Sequence, residues 1–151
     1  MKTYYLYIIY TGILALTLIT LVNRKNIRKL AIYGLLFGAL GDISAILLLG
    51  HLLKLGGYLN YGPFGFFNIP FFPPVAWTIW FILYFYFLPD RKSLKYIYIT
   101  TVALYATIFS NILANLNIFK WNHSKIILPF FIYITWFIGS TWAKERLDHN
   151  N

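Results

Sequence analysis

Cysteine is missing from this chain of 151 residues, and only four residues are Asp or Glu. Without cysteine there are no disulfides and no thiolate metal sites. His51, His123 and His149 do not form a ligand set, and two interface histidines without a nearby acid fall short of a metal site. No P-loop, G-x-S-x-G or H-E-x-x-H is present. No inward pair of carboxylates is available for acid–base work, so no catalytic residue, metal or cofactor is assigned. Charge of either sign is scarce as well. Charged residues make up 11% of the chain, where a soluble domain carries about 25%. A water-soluble surface cannot be built from so few charges.

What is abundant is apolar and aromatic: 60% of residues are hydrophobic and 21% are Phe, Trp or Tyr. The excess apolar surface must meet lipid. A helix needs about 20 predominantly apolar residues to cross the hydrocarbon. The sequence predicts an all-α integral membrane protein, one transmembrane domain over residues 1–151. Its five helices are expected at about 4–22, 30–53, 70–88, 96–119 and 126–143. The first span follows Met1-Lys2 as a signal peptide would. No small-x-small cleavage site follows Val22, however; the chain runs into Asn-Arg-Lys-Asn-Ile-Arg-Lys.

The 13 basic residues, which give a formal charge of +9, fall in short clusters between the apolar segments. That distribution suits anionic headgroups and topology determination, not nucleic acid. The loops after spans one and three, with the C-terminal tail, hold nine basic residues against four on the opposite side. By the positive-inside rule the N-terminus is outside and the C-terminus inside a multi-pass plasma-membrane protein. Tyr4, Tyr5, Tyr7, Tyr10, Tyr58, Tyr61 and Trp121 are expected at the outer interface, and Tyr96, Tyr98 and Trp142 at the inner one. Residues 56–74 are aromatic, uncharged and broken by Pro63, Pro70, Pro73 and Pro74, which forbid a continuous helix. The segment reads as an interfacial connector or as a lid over a cavity. Pro74 suits the first turn of span three.

One acid stands apart. Asp42 lies inside the uncharged stretch Leu30–Leu53, whereas Asp90, Glu145 and Asp148 lie beside basic residues. An ionisable group at bilayer depth is a functional-site hypothesis by default. On a helical wheel Asp42 borders a row of small residues, Gly34, Gly38, Gly41 and Ala45, that includes a G-x-x-x-G and lets another backbone approach. Span four carries a polar stripe containing Thr107, Asn111 and Asn115, with Thr107 level with Asp42. A hydrogen bond from Asp42 to Thr107 or Asn111 is the expected pairing. Trp77, Trp80 and Tyr84 on span three, with Trp136 on span five, are candidates to line an apolar pocket.

The proline-bounded third span, Pro74-Val-Ala-Trp through Phe-Leu-Pro89, and the stretch Asn-Ile-Phe-Lys-Trp-Asn-His before span five carry a resemblance. The layout resembles a group of small five-span membrane proteins of Gram-positive, often spore-forming, bacteria. The run Asn-Ile-Pro-Phe-Phe-Pro-Pro-Val-Ala-Trp is similar to carotenoid-modifying membrane proteins. Their acidic and histidine clusters are missing here, and the activity is not carried over. Three functions follow as expectations. The leading one is a non-enzymatic membrane component, in contact with the bilayer and packing through the glycine seam as a homo-oligomer or with other membrane subunits. The second is a small proton- or cation-coupled transporter or channel using Asp42. The third is an intramembrane lipid- or isoprenoid-binding protein or enzyme.

Overall fold

The computed structural model describes residues 1–151, of which 72% are helical in five helices. These are α1 (Tyr5–Leu21), α2 (Arg24–Leu52), α3 (Phe72–Phe87), α4 (Lys92–Asn115) and α5 (Ile127–His149). Two of them, α2 and α4, are long and apolar enough to cross a membrane; α1 and α3 are shorter apolar helices. Four short strands complete the chain: β1 (Gly56–Tyr58), β2 (Gly65–Phe66), β3 (Ile69–Pro70) and β4 (Phe119–Trp121).

The helix ends have local causes. Asn23 caps α2 by accepting the Asn26 N–H at 2.9 Å, so the helix starts in the Arg-Lys cluster, before the apolar run begins at Leu30. The end of α4 is a Schellman turn. Asn117 takes φ of 59°, its N–H reaches the Ala114 carbonyl, and the Ile118 N–H reaches Leu113. That turn stops the helix at Asn115, four residues short of the expected end, and frees Phe119–Trp121 for a strand. Pro73 and Pro74 sit in the first turn of α3, and Pro129 in that of α5, where a missing N–H has no helical partner to lose.

The irregular segment is ordered by two ladders. β1 pairs antiparallel with β4, placing Gly56 opposite Trp121 and Tyr58 opposite Phe119. β2 and β3 form a tight hairpin whose central residues, Phe67 and Asn68, both have positive φ (50° and 62°), as a type I′ turn requires. Tyr7 of α1 shares its hydroxyl proton between the Leu59 and Ile118 carbonyls, each 2.6 Å away. Tyr7 is buried at this junction. These contacts gather the start of α1 and the ends of α2 and α4 at one end, the strand end. The α1–α2 turn, the α3–α4 loop and the end of α5 lie at the other, basic end, where Lys95 pairs with Glu145.

The core is aromatic and centres on α3. Phe81 of α3 and Phe137 of α5 are fully buried, with ring centres 5.5 Å apart. Against them lies α2, and here the glycine seam is decisive. A Cβ on Gly38 would come within 2.5 Å of the Trp77 carbonyl oxygen, and one on Gly34 within 2.8 Å of that of Thr78. Gly41 lies under the indole of Trp136 at a similar distance. The small residues do admit another backbone, and it is that of α3 in the same chain. At Gly34 and Gly38 the approach expected of a partner subunit is thus made by α3. Only 30 of 151 residues are buried, and exposed large apolar side chains outnumber the buried ones.

Candidate functional site

Asp42 sits mid-way along α2, 3% exposed. Its Oδ1 accepts the Tyr58 hydroxyl at 3.0 Å, and the Tyr58 oxygen accepts the Trp77 Nε1–H at 3.1 Å. The other carboxyl oxygen, Oδ2, is buried without a partner. The chain of donors runs from α3 through β1 into α2. Gly56 permits this path: a Cβ there would lie 2.5 Å from the Lys120 carbonyl, so only glycine lets β1 press against β4 and hold Tyr58 over the acid.

The expected partners of Asp42 bond elsewhere. Thr107 donates to Ala103 of its own helix at 2.8 Å. Asn111 donates to the Thr107 and Lys125 carbonyls, at 2.9 and 2.6 Å, and ties α4 to the loop before α5. Asn115 is exposed at the end of α4. The pairing of Asp42 with α4 is thus corrected, and the cause is placement. α2 packs on α3, α4 packs on α5, and Tyr58 with Trp77 fills the space between. Tyr58 is the residue that sequence reasoning missed. Its signal was the pair of glycines before it, but the β1–β4 pairing that aims it joins segments 63 positions apart (Gly57 with Lys120).

The aromatic candidates divide three ways. Trp77 and Trp80 line a cavity of about 320 Å³ together with Tyr10 and Ile13 of α1 and Tyr105 and Phe109 of α4. Its wall is almost entirely hydrophobic. Ile13, Tyr105 and Phe109 are exposed, so the cavity opens sideways between α1 and α4 onto the apolar surface. The Trp80 Nε1–H is buried without an acceptor. Trp136 lines a second, smaller cavity of about 60 Å³ beside Asp42 and donates its Nε1–H to the Phe37 carbonyl at 3.0 Å. Tyr84 lines neither cavity, a correction to the expected pocket. It lies nearer the basic end, 2.6 Å from the Thr141 hydroxyl, and stacks on Phe137. One helical turn beyond Trp80 it has left the pocket wall.

At the basic end, Glu145 and Asp148 are each paired with a lysine. Asp148 accepts from Lys144 Nζ and from the Tyr33 hydroxyl, both at 2.5 Å. These donors hold its carboxyl below the usual carboxylate range. Asp42 is the buried acid, and neither ion pair of the chain involves it. No family model matches the chain, and neither a curated protein nor a solved structure matches it. Chemically, the arrangement offers one buried carboxyl with a single donor, and an apolar cavity entered from the side.

Proposed function

We propose that this chain is a non-enzymatic, multi-pass protein of the plasma membrane that holds a single lipid chain in its lateral cavity. In this reading five helices span the bilayer, with the strand end outside and the basic end inside. Support for the orientation comes from the clustering of basic residues at one end. α1 and α3, at 17 and 16 residues, are about 24–26 Å long, somewhat short of a hydrocarbon core of about 30 Å. The uncharged segment 56–74 at the strand end, with Phe66, Phe67 and Phe71 exposed, would extend their reach into the interface.

The observation that carries the reading is the cavity itself. At about 320 Å³ it lies within the 300–1,000 Å³ typical of small-molecule sites. Its mouth lies on the surface that would face acyl chains, so a lipid tail could enter without crossing water. Between helices in lipid the hydrophobic effect gives no net drive, and packing decides. A tail in the cavity would restore the contacts that its walls lack.

Native mass spectrometry of the purified full-length protein tests this. The expected spectrum shows one lipid adduct per chain, lost when Ala106→Leu fills the cavity wall. A folded wild type with no adduct, or an adduct equally abundant in the variant, would overturn the reading.

A further inference from the structure

The smaller cavity has a different character. Its wall contains Asp42, whose Oδ2 is buried with no partner, and the rings of Trp77, Trp121, Tyr133 and Trp136. A buried charge is normally paired. The two ion pairs of this chain are Lys95–Glu145 and Lys144–Asp148, and neither involves Asp42. When ionised, the carboxyl there would lack one positive charge and one hydrogen-bond donor. Aromatic rings supply the remaining attraction for a cation, and cages of such rings are a recurring way to hold ammonium groups.

We propose that this cavity binds a small ammonium-class cation, with Asp42 Oδ2 accepting its N–H and the Trp77, Trp121, Tyr133 and Trp136 rings surrounding its charge. A metal ion is disfavoured by the donor set. No group of three His, Cys, Asp or Glu side chains is present, whereas calcium takes six to eight oxygens. Size narrows the class further. The cavity of about 60 Å³ equals the share of about two waters in the liquid, room for ammonium or methylammonium but not for tetraethylammonium. Access is from the strand end. Gly50, Gly56 and Gly57 line that side, and a Cβ placed on Gly57 would meet nothing within 4 Å. The site is separate from the lipid cavity and does not depend on it.

Three of the five tryptophans line this cavity, so intrinsic fluorescence reports on it. The full-length protein in nanodiscs is titrated with methylammonium chloride at constant ionic strength, with sodium and tetraethylammonium chlorides as controls. A saturable change with methylammonium alone is expected. Asp42→Asn, whose amide oxygen still accepts from Tyr58, should raise the half-saturation concentration at least about tenfold. Ala45→Leu keeps the acid but fills the cavity, and should abolish the response even if the first variant does not fold. A folded wild type that does not respond, the same response to sodium, or an unaltered response in Ala45→Leu would overturn the proposal.

Discussion

The two cavities share a wall, since Tyr58, Trp77, Phe119 and Tyr133 line both, yet they differ in almost every other respect. The larger lies between α1 and α4, opens sideways and is apolar. The smaller lies between α2, β1 and α5, opens toward the strand end and contains the one buried acid. Composition does not separate them, because both are rich in aromatic rings. The difference comes from one carboxyl and from the loop that delivers Tyr58 to it. In a chain this apolar, a single buried polar contact sets the character of a cavity, because a polar group buried without a partner is costly.

The partition between the cavities depends first on the α2–α3 seam. Gly38→Val should have the largest effect. Its Cβ would meet the Trp77 backbone at 2.5–2.6 Å, which no rotamer change relieves, and about 3 kcal/mol or more of stability should be lost. Unfolding of the reconstituted protein in a denaturing-detergent titration measures this. An unchanged midpoint would show that α2 and α3 do not touch backbone to backbone. Tyr58→Phe comes next. It strips Asp42 Oδ1 of its donor and the Trp77 Nε1–H of its acceptor, and should cost about 1–3 kcal/mol in the same titration. A neutral result would mean that Tyr58 is not the bridge between the cavities.

The smallest effect is expected at the basic end, far from both cavities. The donors Lys144 and Tyr33 hold the Asp148 carboxyl low, so it favours the folded state above the ordinary carboxyl pKa of about 3.9. That contribution is lost as pH falls below this value toward the lowered one. The Asp148 side chain is 47% exposed, and Asp148→Asn should change stability by less than about 1 kcal/mol at neutral pH. It should also flatten the acid limb of the stability profile. A larger change would make this end as important to the fold as the seam.

Much of this architecture is readable from local sequence. Five apolar runs become five helices, and their ends differ from expectation where a short-range signal was overlooked. Asn23 starts α2 early, and Asn117 with its left-handed backbone stops α4. Gly34 and Gly38 correctly indicate a close backbone, although the partner proves to be α3 of the same chain. The surroundings of Asp42 were not readable, for a physical reason. Its donor lies beyond the helix end, on a strand whose register is set by β4. A helical wheel ranks only residues on helices, so it points to Thr107 and Asn111. Helical spacing puts Trp77, Trp80 and Tyr84 on one side of α3, but only the two indoles reach the larger cavity.

The most direct measurement combines the two binding assays on reciprocal variants. Lipid adducts by native mass spectrometry and methylammonium titration by fluorescence are recorded for wild type, Ala106→Leu and Ala45→Leu. Ala106→Leu is expected to lose the lipid and keep the ammonium response, and Ala45→Leu to do the reverse. Loss of both responses in both folded variants, or of neither in either, would contradict the division of this molecule into an apolar site and a charged one.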